Sequence, residues 1–260
     1  MMECRAIKNR EEADRFLEIL CEVFELSVTR AAPVFFNEPS FDLSRKWVGF
    51  KDGEMVTILT STPLVFDYQA QKRAMGIAGV ATLVQHQGKG YASELMNCIL
   101  EFGRNNGEPR ALLFAKNPAL YQSLGFKIVD EIIEGPIENQ GEDELHDDME
   151  IHDIEKCYEE FSSGKENWLV RDELRWNVWK WSVRCCQPAP GGYLCHEGMT
   201  IREAITSLST PWPIGKGMNW IGLKSVTESL TIPTTPAPQG SYLMGIGLDF
   251  TPQMFLTDQF

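Results

Sequence analysis

The sequence of 260 residues lacks any apolar run long enough to cross a bilayer as a helix. Its most apolar stretch, Met55 to Phe66, is interrupted by threonines, Ser61 and Pro63, whereas a spanning helix needs about 20 predominantly apolar residues. The start, MMECRAIKNREEADRFLEIL, has no apolar block beside a basic region, so the sequence predicts no secretory signal peptide. We therefore expect a cytoplasmic protein with no membrane partner.

Cysteine occurs seven times, but never in the CxxC spacing of zinc or redox motifs. The adjacent pair Cys185 and Cys186 has no obvious base beside it in the sequence. Reduced, structural thiols are the usual state in a cytoplasm. The sequence therefore predicts free thiols and no metal site.

Basic residues are scarce: 24 Lys and Arg stand against 37 Asp and Glu, for a net charge of −13. No basic patch of the kind that nucleic acid requires is visible. Fourteen acidic residues and a single basic one, Lys156, fall between Asp130 and Glu160, so the excess negative charge is confined to one segment. That segment indicates a solvated linker or, if its charge bears on the ligand, a preference for cations.

The chain divides by pattern into three parts. Residues 1–134 alternate strand-like and helical segments, including an amphipathic helix from Arg10 to Glu25 and a hairpin around Asp52-Gly53. Residues 135–160 form the acidic linker. Residues 161–260 are predicted to form a smaller C-terminal α+β domain, with a helix, a hairpin and a late strand. The fold class is therefore α/β (α+β).

The stretch QHQGKGYASEL, residues 85–95, follows an apolar run that ends at Val84 and precedes a helical pattern. A glycine-rich turn between a strand and a helix directs backbone N–H groups and the positive end of the helix dipole at one spot, which suits a phosphate. Gly88 and Gly90 let a ligand approach the backbone closely. The stretch is neither GxxxxGK[ST] nor GxGxxG. Taken alone, it is equally consistent with an ordinary strand-to-helix turn.

A second motif follows after one predicted helix and one short strand. It is NPALYQSLGF, residues 117–126, which reads N-x-x-x-Y-x-x-x-G-F. Together with Q-x-x-G-x-G at Gln85, Gly88 and Gly90, this order resembles the GNAT superfamily of acyl-CoA-dependent N-acyltransferases over roughly residues 1–134. The resemblance implies a mixed twisted sheet whose two central parallel strands, the one ending at Val84 and the one at Ala111–Phe114, splay apart between flanking helices.

The resemblance also implies the ligand and its contacts. Acetyl-CoA would be the co-substrate, with its pantetheine amides at the backbone of Leu83 and Val84 and its pyrophosphate on the glycine-rich loop. Many family members carry Arg where Gln87 stands, which removes one charge contact but leaves the backbone cradle. The implied cofactor-binding residues are Leu83, Val84, Gln85, Gly88, Lys89, Gly90, Tyr91, Ala92 and Asn117.

The catalytic residues are less directly indicated. The resemblance implies that Tyr121 donates a proton to the CoA sulfur. The structural alternative is that Tyr121 only packs beneath Leu124 and Phe126. Many family members have an acidic residue on the strand before the loop, but none occurs between Lys72 and Val84.

The chain given ends in MFLTDQF, and its C-terminal region and final Phe resemble the enhanced-intracellular-survival group of acetyltransferases. That resemblance implies a general base at the carboxylate of Phe260. Asp258, Glu22 and Glu25 are alternative carboxylates for this role. A degenerate second GNAT-like half is one interpretation of residues 161–260.

The sequence thus predicts transfer of an acetyl group from acetyl-CoA to a primary amine of a small cationic molecule or peptide, by direct attack in a ternary complex. A general base is needed because an alkylammonium with a pKa of roughly 10.4 is protonated at neutral pH. The alternative is a non-catalytic acyl-CoA-binding or protein-interaction module on the same fold. The sequence predicts neither the acceptor's identity nor the oligomeric state.

Overall fold

A computed structural model describes residues 2–138, 140–141, 149–182, 185–207, 212 and 214–260. Within these residues the strands are β1 (Glu3–Ala6), β2 (Lys46–Lys51), β3 (Glu54–Phe66), β4 (Lys72–Thr82), β5 (Arg110–Ala115), β6 (Lys127–Pro136), β7 (Cys185–Ala189), β8 (Gly192–Glu197), β9 (Thr200–Ile205), β10 (Asn219–Leu223) and β11 (Ala237–Ile246). They form one sheet in the order β1-β2-β3-β4-β5-β11-β6-β10-β9-β8-β7. The predicted mixed α/β fold is confirmed.

Helices in the described residues cover this sheet. They are α1 (Arg10–Val23), α2 (Val28–Asn37), α3 (Tyr91–Asn105), α4 (Ala119–Gln122), α5 (Ile151–Ser163), α6 (Glu173–Ser182) and α7 (Lys224–Ser229). Short 3-10 helices lie at Leu43–Arg45, Val84–His86 and Leu256–Asp258. No described helix is long and apolar enough to cross a membrane.

The N-terminal elements follow their sequence signals closely. Asn9 caps α1 by accepting a hydrogen bond from the Glu12 N–H, and the apolar face of α1 is buried. Asp52 and Gly53 both have positive φ, 53° and 85°, as a two-residue hairpin turn requires. The helix α2 was not predicted, because Pro33 stands inside it and Phe35 is its one buried residue.

Strands β4 and β5 are parallel and pair over only part of their length. The ladder runs from Ala74 opposite Arg110 to Ile77 opposite Leu113 and then stops, although both strands continue. A register shift between β3 and β4 accompanies the break, and Gly79 adopts a φ of 59° there. The strands therefore separate at their carboxyl ends, as the family resemblance implies.

The second half of the chain contributes to the same sheet as the first. Strand β11 lies between β5 and β6 and is antiparallel to both. The predicted boundary at residue 134 falls inside β6, so residues on both sides of it are hydrogen-bonded into one sheet. No local pattern signals this insertion, since β11 pairs with strands more than a hundred residues earlier. The three-part division of the chain stays a prediction.

The expected acidic linker contains a packed helix. Residues 139 and 142–148, with His146, lie outside the described residues, but α5 occupies the end of the segment. Ile154 and Tyr158 recur at helical spacing and are fully or nearly fully buried. The sequence pattern did not reveal this apolar face, because acidic residues surround Ile154 and Tyr158 along the chain.

The prediction of reduced thiols is wrong for two of the cysteines. Cys186 on β7 and Cys195 on β8 are joined by a disulfide across paired positions of the two strands. The remaining cysteines, Cys4, Cys21, Cys98, Cys157 and Cys185, are free thiols. The pairing depends on a strand register that spacing in the sequence does not reveal.

Candidate functional site

The separation of β4 from β5 opens a cleft in the sheet, here called the β5 cleft. Its volume is about 420 Å³. The backbone of β4 from Ile77 to Val80 forms one wall, and β5 with the start of α4 forms the other. The lining residues are Phe24, Ile77, Ala78, Gly79, Val80, Leu113, Phe114, Ala115, Lys116, Asn117, Leu120, Tyr121, Gln259 and Phe260.

The glycine-rich loop lies between the end of β4 and the start of α3. Gly88 and Gly90 have φ values of 73° and 81°, and a Cβ added at either would meet nothing within 4 Å. Within the described residues, no protein group accepts a hydrogen bond from the backbone N–H of Gly88, Lys89 or Gly90. The first turn of a helix adds further N–H groups with no intrahelical partner. The loop is therefore an open backbone cradle with the properties that an anion needs.

The side chains of the loop fold back onto its own backbone. The Lys89 ammonium donates to the carbonyl of Gln85 at 2.9 Å, and the Gln87 amide donates to the carbonyl of Thr82 at 3.0 Å. These contacts hold the turn in shape while its N–H groups stay open. Tyr91 and Ala92 form the first turn of α3, where the helix dipole adds positive potential.

The two residues before the loop, Leu83 and Val84, differ in the hydrogen bonding of their backbone N–H groups. Leu83 is buried, its N–H donates to Val56, and its carbonyl accepts from His86. Val84 is 66 % exposed, and its N–H has no acceptor among the described residues. Of the two, Val84 presents the free backbone donor.

Tyr121 and Asn117 stand on the opposite wall of the β5 cleft. The Asn117 side chain accepts the Ala119 N–H at 3.2 Å just before the short helix α4, and Gly125 ends this segment with a φ of 91°. The Tyr121 ring packs against Phe126 with centroids 6.2 Å apart, while the residue also lines the cleft. Burial raises the pKa of the Tyr121 phenol, which keeps it protonated at neutral pH.

A second, smaller cleft adjoins the first through Ala78, Gly79, Gln259 and Phe260, which line both. We call it the α2 cleft, and its volume is about 240 Å³. It is lined by Leu20, Phe35, Glu38, Ser40, Lys46, Thr60, Thr62, Ala78, Gly79, Arg175, Val178, Gln259 and Phe260. The opening between β4 and β5 thus connects two pockets on either side of Gly79.

Phe260 lies at the junction of the two clefts. Its ring covers Gly76 of β4, where an added Cβ would come within 2.5 Å of ring carbons. It also packs against Phe114 of β5, with centroids 5.6 Å apart. The absence of a side chain at Gly76 therefore makes room for the Phe260 ring.

Residues 3–129 match the family model of the acetyltransferase (GNAT) domain. These residues form a domain of the GNAT superfamily of acyltransferases. No curated protein sequence matches it at a significant level.

The fold likeness extends through the second half of the chain. Eis1 from Mycobacterium abscessus superposes with a TM-score of 0.63 at 13 % identity, over 94 % of this chain and 73 % of that one. A GCN5-related N-acetyltransferase from Kribbella flavida gives 0.69 at 14 % identity, over 94 % and 70 %. A putative acetyltransferase from Pyrococcus horikoshii gives 0.67 at 14 % identity, over 99 % and 92 %. At these identities the likeness shows a shared fold. The predicted resemblance to the Eis group is therefore confirmed for the fold.

In this GNAT-type sheet, a buried ion-pair network fixes the segment that ends at Phe260. Arg171 donates to both oxygens of Glu203 at 3.0 and 2.8 Å and to both oxygens of Asp258 at 2.8 and 2.7 Å. Arg175 donates to the backbone carbonyl of Asp258. All four charged side chains are buried. The network ties α6, β9 and the 3-10 helix at Leu256–Asp258 together directly beside the clefts.

Aromatic and hydroxyl groups complete this network. The Glu203 carboxylate also accepts from the Trp179 indole N–H at 2.9 Å, from the Tyr193 hydroxyl and from the Thr257 hydroxyl. The Arg171 guanidinium lies 3.8 Å from the centroid of the Tyr158 ring. Both oxygens of Glu203 and both oxygens of Asp258 therefore accept at least one hydrogen bond, as a buried ionic cluster requires.

The alternative carboxylates considered from the sequence lie elsewhere or have other partners. Asp258 lines neither cleft and has both oxygens bound to Arg171, so it anchors the chain end rather than facing a ligand. Glu22 and Glu25 are exposed and line neither cleft, although their neighbour Phe24 lines the β5 cleft.

Sequence reasoning missed four residues at this site: Glu38, Lys46, Arg171 and Arg175. No motif contains them, and they come from separate parts of the chain, so only the fold brings them together. Arg175 lies on α6 and Arg171 lies just before that helix, so no helical spacing in the sequence signals the pair. Among the described residues, no group of three or more His, Cys, Asp or Glu side chains could hold a metal ion.

Proposed function

We propose that the protein transfers the acetyl group of acetyl-CoA to a primary amine of a small molecule or peptide, by direct attack in a ternary complex. One observation carries the proposal: the cleft between β4 and β5 runs from the glycine-rich loop to the α2 cleft on the other side of Gly79. A thioester lying in this opening would present its carbonyl to an amine held in the α2 cleft.

The loop provides the expected site for the CoA pyrophosphate. The unpaired N–H groups of Gly88, Lys89 and Gly90 and the N-terminus of α3 would hold the phosphate oxygens. The exposed Val84 N–H is the donor we assign to the pantetheine arm, and Asn117 would contact the cofactor from the β5 side. Gln85, Tyr91 and Ala92 complete the cradle.

Acetyl transfer requires two proton transfers and the replacement of a C–S bond by a C–N bond. The amine must lose a proton, its nitrogen then forms a bond to the thioester carbonyl carbon, and the C–S bond breaks to release a thiolate. The Tyr121 phenol is the acid that we assign to the thiolate, because it lines the β5 cleft and remains protonated. The products are the N-acetylated amine and CoA with a free thiol.

The carboxylate of Phe260 is our candidate for the base. Phe260 borders both clefts, and β4 offers no acidic residue between Lys72 and Thr82. Glu38 is the one carboxylate side chain lining the α2 cleft among the described residues, but it lies at the C-terminal end of α2 and accepts the Ser40 hydroxyl at 2.7 Å. A carboxylate that removes the amine proton typically contributes roughly 10²–10⁴ to the rate.

The test is release of free thiol from acetyl-CoA with a panel of acceptors. The panel contains polyamines and aminoglycosides, which the net charge favours, together with amino acids and peptides. Release that depends on one acceptor class supports the proposal. Acetyl-CoA binding without release above hydrolysis for every acceptor would favour a non-catalytic acyl-CoA-binding module instead.

A further inference from the structure

Two cationic side chains line the α2 cleft without being fully paired. Lys46 is 3 % exposed, and its ammonium forms no hydrogen bond or ion pair with any described residue. The ammonium lies 5.1 Å from the ring centroid of Phe35 and 5.8 Å from that of Phe41. Arg175 is also 3 % exposed, and its Nε has no hydrogen-bond partner.

The acidic groups near Lys46 are engaged elsewhere. Glu38 accepts the Ser40 hydroxyl at 2.7 Å. Asp42 accepts both the N–H and the hydroxyl of Ser44 at 2.8 Å. These carboxylates raise the pKa of Lys46 somewhat, but burial outweighs them and lowers it from its usual value. The ammonium therefore lies in an apolar setting without a direct counter-ion.

Arg175 likewise has no carboxylate of the described residues within hydrogen-bond distance. Its Nη2 donates to the backbone carbonyl of Asp258, and its nearest carboxylate oxygen, also on Asp258, is 3.8 Å away. Both oxygens of that carboxylate already accept from Arg171. Burial lowers the pKa of Arg175 despite the charge of Asp258. A buried cation or N–H donor without a partner is costly, and an anionic ligand would relieve that cost for both residues.

The rest of the α2 cleft limits the size and character of its ligand. Its volume of about 240 Å³ is below the roughly 300–1,000 Å³ of pockets for drug-sized ligands. Leu20, Phe35 and Val178 provide apolar walls, and Phe260 closes the side that faces β4. A polyamine or aminoglycoside would place its additional positive charges beside Lys46 and Arg175, which repel them. Among the described residues, the negative groups at this cleft are Glu38 and the proposed base at Phe260.

We propose that the acceptor is a small, apolar α-amino acid whose carboxylate lies between Lys46 and Arg175. The inference rests on the proposed function for the amine's role as acceptor. The carboxylate would take hydrogen bonds from the ammonium of Lys46 and the Nε of Arg175, while the amine is directed towards the opening at Gly79. The amine nitrogen then bonds to the acetyl carbon as the C–S bond breaks, giving an N-acetylamino acid and CoA thiol.

The first test measures binding without turnover. Calorimetry compares N-acetyl-L-leucine with N-acetyl-L-leucinamide, which lacks the negative charge, on the protein with CoA present. We expect the acid to bind about tenfold or more tightly than the amide, and Lys46→Met to remove that preference. Equal affinity of acid and amide, including no detectable binding of either, would overturn the inference. So would a preference that Lys46→Met leaves unchanged.

Lys51→Met is the matched control. Lys51 lies on β2 like Lys46, but it is only half-buried, pairs with Asp52 and does not line the α2 cleft. This variant is expected to retain the preference for the acid. Thermal denaturation of both variants checks their folding, and Lys46→Met is expected to keep the wild-type melting temperature or exceed it because a buried charge is removed.

Turnover separates this inference from the proposed function. Thiol release is measured with L-leucine, L-leucinamide and isopentylamine, which share a side chain and differ at the carboxylate. Release with all three at similar kcat/KM would support acetyl transfer and overturn the carboxylate subsite. No release with any amine, together with the binding preference for the acid, would support the subsite and count against the proposed function.

Discussion

At the scale of single residues, Tyr121 and Phe260 are the two proposed catalytic groups, and they meet at the β5 cleft from different elements. The position of Tyr121 is compatible with both of the roles that the sequence left as alternatives, because its ring packs on Phe126 while the residue also lines the cleft. The Phe260 ring packs over Gly76 and against Phe114. At each position, one change removes or moves the proposed catalytic group and leaves the aromatic ring in place.

Tyr121→Phe removes the proposed acid and leaves the ring. We expect kcat for thiol release to fall by roughly 10²–10⁴. The calorimetric Kd for acetyl-CoA should stay near the wild-type value, because the loop and the cleft walls are unchanged. Unaltered kcat would assign Tyr121 a packing role only.

The activity of the wild-type protein should also persist at alkaline pH. Burial raises the pKa of Tyr121, so the phenol remains protonated as the pH rises through the range where an ordinary tyrosine ionises. A pH–rate profile of kcat is the measurement. Loss of activity below the ordinary tyrosine pKa, absent in Tyr121→Phe, would contradict this assignment.

The role of the Phe260 carboxylate is tested by moving it. One glycine added after Phe260 displaces the carboxylate by up to about 3.6 Å while the ring can stay over Gly76. We expect kcat to fall by roughly 10²–10⁴ with little change in acetyl-CoA affinity. Phe260→Leu, which keeps the carboxylate in place, serves as the control. Wild-type kcat in the extended chain would rule out this base.

At the scale of elements, the decisive feature is the junction of β4, the loop and α3. The parallel ladder of β4 and β5 ends at Ile77 and Leu113, and the loop then turns through two glycines with positive φ. Neither glycine is constrained by neighbouring protein atoms. The open space around them is therefore available to a ligand.

Gly90→Ala adds a methyl group to the cradle at a φ of 81°. Gly107→Ala is a closely matched control, because Gly107 has a φ of 79°, is equally open and lies just beyond the opposite end of α3. Both variants should lose similar stability, about 1–3 kcal/mol from backbone strain. Only Gly90→Ala should weaken acetyl-CoA binding, by about tenfold in calorimetry. Equal affinities in the two variants would contradict a ligand at this loop.

At the scale of the whole molecule, the two halves of the chain form one sheet and share one site. Strand β11 joins β5 to β6, and the network of Arg171, Glu203 and Asp258 holds the C-terminal segment over β4. We therefore expect damage to this network to reduce both stability and catalysis, although it lies outside the matched GNAT domain.

Arg171→Met leaves the carboxylates of Glu203 and Asp258 buried without their main partner. Removing one member of a buried ion pair costs about 3–5 kcal/mol, so the melting temperature should fall clearly. Arg15→Met breaks only the exposed pair that the described residues show for Arg15, with Glu18, and should change stability by about 0–1 kcal/mol. Thermal denaturation of both variants is the measurement. A small effect of Arg171→Met would show that the network does not anchor the chain end.

The sequence predicted the parts of the molecule whose signals are local. The helix at Arg10–Val23, the Asp52-Gly53 turn and the loop before α3 follow from apolar spacing, φ preferences and glycine placement over a few residues. The insertion of β11, the disulfide of Cys186 with Cys195 and the pairing of Arg171 with Asp258 depend on contacts between distant segments. Lys46 and Arg175 likewise meet at the α2 cleft only after folding, which is why net charge pointed to cationic acceptors while the cleft itself carries buried cations.

We propose that an acetyl group passes directly from acetyl-CoA to an amine across the opening between β4 and β5. Initial rates of thiol release, measured at varied concentrations of both substrates with the acetylated product verified by mass spectrometry, test this transfer. We expect amine-dependent release and double-reciprocal lines that intersect, as a ternary complex requires. Parallel lines would contradict direct attack, and thiol release without an acetylated amine would contradict the transfer itself.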